Sequence, residues 1–241
     1  MDLMFTRNWR EIWAKRNFQN ESSITLIQKL IWMNGFDSPL GSMYESDWRA
    51  FVEKISKRIK IKENSSIFEI GCGSGAFLFP FYEKGLQIGG IDFSVKQIDI
   101  AKEVFNSNNF TVCDANSLNH KKKYDFILSN HVIHYFESMQ YTTQVLKLLF
   151  KKVKKSIYLS GIPDINYKKE QERFRQNTLS EQEYQNKYKG LDILYFDRKY
   201  FYDMAKTHNF SIEFYEHEMP GFTQGKFRFD CHLKKLNSKK P

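Results

Sequence analysis

The sequence predicts an α/β fold, a three-layer sandwich in which helices cover both faces of a mostly parallel sheet. Three observations predict it. Between residues 65 and 160, short apolar runs alternate with stretches of helical periodicity. Runs such as Phe126-Ile127-Leu128 are apolar throughout, as strands covered on both faces must be. Glycines cluster where the first run gives way to a helix. The chain has 241 residues, 41% of them hydrophobic, which suits one domain with an embellishment. Its 22 Phe and 13 Tyr exclude a disordered chain. Cys72, Cys113 and Cys231 are far apart and form no CxxC, which excludes a disulfide framework and argues against a zinc cluster. No apolar leader and no run of about 18 uncharged apolar residues is present, so neither secretion nor membrane insertion is expected. The expected compartment is the cytoplasm.

Residues 1–61 read as an N-terminal helical cap ahead of a domain over 62–241. One helix runs through Ile24, Ile27, Leu30 and Ile31, capped by Ser22 or Ser23 and stopped at Gly35. A turn containing Pro39 follows. Trp48, Phe51, Val52, Ile55 and Ile59 then form a second helical stripe. Strands are expected at 66–70, 86–91, 110–113, 124–129 and 156–160, and helices at 76–84, 95–105 and 139–150. Ser94 is the N-cap of the helix over 95–105. After Gly161 the alternation breaks into an insertion at about 162–196, polar and rich in tyrosine (Tyr167, Tyr184, Tyr188, Tyr195). A helix at 198–207, capped by Asp197, leads to two strands at 210–216 and 226–233. Their link of about nine residues suits an antiparallel pair at the sheet edge.

The net charge of +9 is carried mainly by lysine, in short runs such as Lys121-Lys122-Lys123 and Lys239-Lys240. Nucleic-acid faces use arginine forks as well, so solvated helix ends, loops and a tail are the favoured reading over a nucleic-acid face, with steering of a small anion as a softer alternative. The chemistry concentrates in Glu69-Ile70-Gly71-Cys72-Gly73-Ser74-Gly75-Ala76. Glycines there let the backbone turn tightly against a ligand, and the following helix adds partial positive charge. Gly71, Gly73 and Ala76 also satisfy a dinucleotide-binding pattern, so this motif alone leaves a nicotinamide or flavin enzyme open. Three further features accompany it. Glu69 precedes the glycines and Gly75 adds a third at alternate spacing. Gly89-Gly90-Ile91-Asp92-Phe93-Ser94 ends the second strand with a carboxylate. Cys113-Asp114-Ala115 and Ser129-Asn130-His131-Val132-Ile133-His134-Tyr135 end the third and fourth.

In this order, over about residues 65–160, the set resembles the class I S-adenosylmethionine-dependent methyltransferases. The resemblance implies a seven-stranded sheet of order 3-2-1-4-5-7-6 with strand 7 antiparallel. It implies S-adenosylmethionine as cofactor and no metal. Glu69, Gly71, Cys72, Gly73 and Gly75 would lie at the methionine end of the cofactor. Asp92 would take the ribose diol, Phe93 would flank the adenine, and Asp114 and Ala115 would hold its edge. Asn130 would sit near the sulfonium, and Tyr44 would approach from the N-terminal helices. Removing a proton from a hydroxyl or amine acceptor benefits from a base near neutral pKa, and His131 and His134 are the candidates. The acceptor pocket is expected from Trp48, Tyr135, Arg173, Tyr195, Arg198 and Arg228, the arginines (with Arg175 beside them) as clamps for an anion. The fourth strand lacks an Asn-Pro-Pro-Tyr-type signature, which favours a small molecule over a nucleobase. The expected activity is O-methylation of an anionic or nucleotide-linked acceptor. A looser similarity points to enzymes that modify surface-polysaccharide precursors. An N-methyltransferase, an RNA methyltransferase and a non-catalytic cofactor-binding protein are the alternatives. The oligomeric state is not readable from the sequence.

Overall fold

The computed structural model describes residues 9–16, 23–38, 40–188 and 190–236, and the side chains of 186 and 187 are outside it. Ser22, Pro39, Lys239 and Lys240 lie outside the described residues. Helices α1 (Trp9–Lys15) and α2 (Leu26–Met33) come first. A two-residue ladder, Asp37–Ser38 against Gly41–Ser42, leads to α3 (Glu45–Ile59). Strand and helix then alternate as β1 (Ser66–Ile70), α4 (Phe79–Glu83), β2 (Gln87–Asp92), α5 (Val95–Phe105), β3 (Phe110–Val112), β4 (Tyr124–Asn130), α6 (Met139–Lys152) and β5 (Val153–Pro163). The insertion holds α7 (Lys168–Thr178) and α8 (Glu181–Tyr188). The chain finishes with α9 (Arg198–Thr207), β6 (Phe210–Glu216) and β7 (Arg228–Lys235).

The seven strands lie in the order β3-β2-β1-β4-β5-β7-β6. All pairs from β3 to β5 are parallel, and β7 runs antiparallel to both its neighbours, as the sequence led us to expect. Side chains alternate between the sheet's faces, which divides the core in two. Ile67, Phe126, Leu128 and Tyr158 meet Ile27, Leu30, Trp48, Phe51, Phe77 and Phe105 on one side. Phe68, Ile70, Ile127 and Leu159 meet Val145, Leu149, Phe201 and Phe229 on the other. The N-terminal helices α2 and α3 therefore pack into the same cluster as the sheet.

Several local expectations need correction. The cap of α2 is Thr25, whose hydroxyl accepts from Gln28 N at 3.3 Å, and not Ser23. Helix α4 starts at Phe79, not Ala76, because the turn runs on to Leu78 and Pro80, which has no N–H to donate, suits the first helical turn. Strand β5 is longer than 156–160, since buried residues extend it at both ends. Strand β7 starts at Arg228, because Gly225–Phe227 form a 3-10 turn. Ser94 and Asp197 cap α5 and α9 as expected, accepting from Gln97 N and Lys199 N.

Candidate active site

The carboxyl ends of β1, β2, β3 and β4 open onto one cavity of about 550 Å³. This is where parallel α/β sheets bind ligands, and the volume is that of a small-molecule site. Glu69, Gly71, Gly73, Asp92, Phe93, Asp114, Ala115 and Asn130 line it, and at the far end so do His131, His134, Tyr135 and Arg228. Four strand-end motifs and Arg228 thus converge on one space.

At the first end, Asp92 accepts from the N–H groups of Gly73 (3.0 Å) and Ser94 (2.9 Å), which fixes its carboxylate at the tip of β2. Burial pushes its pKa up while those N–H groups pull it down, with a net rise. Glu69 is 1% exposed and its Oε2 has no partner among the described residues. Burial, then the charge of Asp92, pushes its carboxyl well above the usual range. The side-chain oxygens of Gln97 and Asn130, also cavity-lining, are likewise buried without partners. Such groups are costly unless a ligand satisfies them. A ligand with an ammonium group beside Glu69 and a diol beside Asp92 fits this donor and acceptor set, and S-adenosylmethionine carries both. Asn34, at the end of α2, was missed by sequence reasoning. Its side chain accepts from Ser74 N (3.1 Å) and donates to Cys72 O (3.3 Å), pinning the glycine turn from outside. A cap residue on a distant helix gives no local signal of this role.

At the second end, Arg228 is 4% exposed and donates to Gly161 O at 2.7 Å. Its Nη1 stands 3.4 Å from His131 Nδ1 and 3.5 Å from His134 Nδ1. Arg175, 6% exposed, donates to Gln224 Oε1 at 2.6 Å and lies 5.0 Å from the centre of the Tyr188 ring. Among the described residues neither guanidinium pairs with a carboxylate. Burial, then the charge of Arg175, pushes the Arg228 pKa down to about 10. Burial and Arg228 also push His134 well below the usual imidazole range.

Several expected site residues lie elsewhere. Tyr44 is 62% exposed at the start of α3, and Trp48 is fully buried in the core with its Nε1 donating to Ala76 O at 2.9 Å. Arg173 is exposed, because it lies on the opposite side of α7 from the buried Gln171 and Arg175. Arg198 is taken up by Asp164 and Glu216 at 3.3 and 2.9 Å. Tyr195 is not part of the cavity wall. Cys72 and Gly75 are buried below the turn: Cys72 packs under Gly90, and a Cβ on Gly75 would meet Phe105. Helix α1 also reaches the cavity, through Trp9 and Arg10. The Trp9 ring packs tilted against Tyr135 with centroids 4.7 Å apart, and Arg10 donates to Asp114 while lying 4.9 Å from the centre of the Phe93 ring.

Residues 41–213 match a family model described as a methyltransferase domain. Over 129 residues the chain is 30% identical to the ubiquinone biosynthesis O-methyltransferase of Pelagibacter ubique (strain HTCC1062), covering 49% of this chain and 54% of that protein. Over 113 residues it is 27% identical to the putative methyltransferase 235L of Invertebrate iridescent virus 6, covering 46% and 42%. The chain thus spans about half the length of the curated relatives it matches. Among solved structures, the magnesium protoporphyrin IX methyltransferase of Synechocystis PCC 6803 with bound SAH superposes with a TM-score of 0.57 at 16% identity, covering 95% of this chain and 92% of that one. An S-adenosylmethionine-dependent methyltransferase from Clostridium acetobutylicum ATCC 824 gives a TM-score of 0.58 at 11% identity, covering 82% and 94%. At these identities the structural likeness is one of fold.

Proposed function

This chain belongs to the class I S-adenosylmethionine-dependent methyltransferases, and from that premise we propose that it methylates an oxygen of a small acceptor bearing a carboxylate or phosphate. The observation that carries the acceptor class is the buried pair Arg175 and Arg228, two cavity-lining guanidiniums without a carboxylate partner among the described residues. Two such cations repel each other and an ammonium acceptor alike, and an anion placed between them relieves both. Nucleotide-linked precursors of surface polysaccharides are one such class of acceptor, and simple hydroxy acids are another. The chain also matches part of an O-methyltransferase. The free thiols of Cys72, Cys113 and Cys231 fit the reducing cytoplasm.

When bound, S-adenosylmethionine supplies an activated methyl group. The rest falls to this chain. Glu69 and Asn130 hold an ammonium, Asp92 a diol, and Phe93 with Asp114 the edge of a planar base. Tyr135 and Trp9 narrow the mouth against water, and Arg175 and Arg228 aim the acceptor. Alignment of this kind can supply about 7–11 kcal/mol of the barrier. The test is methyl transfer from labelled S-adenosylmethionine to hydroxy carboxylates and nucleotide-linked sugars, each beside its neutral ester or unphosphorylated counterpart. Turnover of the anions alone is expected. Equal turnover of the neutral counterparts overturns the acceptor class.

A further inference from the structure

We propose that His217 and Asp230 are positioning residues that hold His131 ready to take the proton released as the acceptor's hydroxyl is methylated. The inference rests on the O-methyl-transfer reading above. A line of hydrogen bonds runs inward from the cavity. His131 Nε2 is 2.9 Å from His217 Nε2, and His217 Nδ1 is 2.8 Å from Asp230 Oδ1. Asp230 accepts further from Gly161 N (2.8 Å), from the Ser160 hydroxyl (3.2 Å) and, at its other oxygen, from the Tyr158 hydroxyl (2.8 Å). His131 lines the cavity, whereas His217 and Asp230 stand behind it, 4% and 1% exposed.

The bonding order fixes where the protons sit. Burial raises the Asp230 pKa, but His217 and the surrounding donors outweigh it and hold it below the usual range, so Asp230 is a carboxylate. A carboxylate only accepts, so His217 Nδ1 carries a proton. Arg228 Nη1 only donates, so the His131 Nδ1 that stands 3.4 Å from it accepts, and the His131 proton lies on Nε2, donated to the facing Nε2 of His217. That leaves the lone pair of His131 on Nδ1, beside Arg228 and therefore beside the acceptor's anion. Two backbone features hold this arrangement. His131 has φ 58, and Gly161 has φ 72, where a Cβ would lie 2.5 Å from His131 Nε2. Strain of this kind persists only where the surroundings enforce it. The charged or titratable groups facing His131 are His217, Arg228 and His134. Burial first, then these neighbours, the Arg228 charge among them, push its imidazole well below the usual range. His134 has no such acidic partner.

In the reaction, the hydroxyl oxygen bonds to the methyl carbon as the carbon–sulfur bond breaks and its electron pair goes to sulfur. The hydroxyl proton goes to His131 Nδ1, and the proton on His131 Nε2 passes to His217 Nε2. The positive charge lost from sulfur ends on a His217 imidazolium against Asp230, and the proton leaves to solvent as the site reopens.

Long-range proton–nitrogen spectra of the full chain, labelled with ¹⁵N-histidine and loaded with S-adenosylhomocysteine, report which ring nitrogen carries each proton. The expected state at pH 8 is His131 protonated at Nε2 and His217 at Nδ1. In His217→Phe, His131 is expected to show both tautomers while binding S-adenosylhomocysteine like the wild type. Should that variant not fold, Asp230→Leu is expected to free the His217 tautomer instead, and the wild-type spectrum is decisive alone. With any hydroxy acid that the wild type methylates, His217→Phe is expected to lower kcat on the order of 100-fold, a usual share for a placed base, at unchanged KM for the methyl donor. A wild-type His131 protonated at Nδ1, tautomers indifferent to the substitution, or an unchanged kcat overturns the proposal. A wild type that transfers no methyl group instead overturns the function it rests on, because the tautomer measurement needs no acceptor.

Discussion

Glu69 and Arg228, one at each end of the cavity, are buried without opposite charges among the described residues. Because burial raises the Glu69 pKa in the folded chain, its contribution to stability is complete below the ordinary carboxylate value of about 4.3 and is lost as pH rises through the elevated one. The melting temperature of the wild type minus that of Glu69→Gln is therefore expected to fall as pH rises. Thermal melts of both proteins across pH 5–9 read this directly. Arg228→Met removes a buried cation that has no carboxylate. It is expected to leave the melting temperature unlowered while weakening binding of an anionic acceptor roughly 10- to 100-fold, the loss of one charge-assisted hydrogen bond. Calorimetry and melts on one preparation separate the two effects. Glu69 and Asp92 were legible in the sequence because each sits in a strand-end motif, whereas Arg228 was one of four arginines read alike as clamps for an anion. Arg175 was not distinguishable from Arg173 until α7 showed which face is buried. His217 and Asp230 were invisible, since 86 residues separate His217 from the histidine it serves and only the antiparallel return of β7 brings Asp230 beneath it.

At the level of elements, Ser94→Ala removes the hydroxyl that accepts from Gln97 N and is expected to cost about 1 kcal/mol in urea melts. Gly75→Ala is expected to cost more, about 2–4 kcal/mol, from left-handed backbone and overpacking together. Its φ is 91 and its Cβ would lie 2.3 Å from Phe105 Cε2. Gly75 therefore supports the site through packing, although its motif suggested contact with the ligand. The same contrast explains which elements could be read ahead of the structure. Helix α5 and helix α9 match their expected spans because each has a strong cap at a clear change of pattern. Helix α4 does not, because glycine backbone and Pro80 override an apolar run that looks helical. The insertion read as helical only in parts, because its polar composition and weak periodicity mark no helix bounds, and so the buried side of α7 that carries Gln171 and Arg175 was not readable.

At the scale of the whole molecule, two remote segments meet over the cavity, α1 from the N-terminal side and α7 with α8 from the insertion. Trp9 packs 4.7 Å from Tyr135 and 6.3 Å from Tyr188, and its Nε1 donates to Asp192 O at 2.6 Å. In the same helix Arg10 occupies Asp114 and Phe93, where the base of the cofactor is expected. Binding must therefore displace that guanidinium. Arg10→Ala is expected to tighten S-adenosylhomocysteine binding by up to about fivefold, the most that an exposed ion pair near 1 kcal/mol allows. Calorimetric titration at fixed salt checks it, and weaker binding by the variant shows that Arg10 stays and helps. A single seven-residue helix touches the walls of both ends, so α1 is the element through which a ligand at one end would act on a ligand at the other. Any factor by which one changes the other's affinity through α1 must be returned in full when the order of addition is reversed.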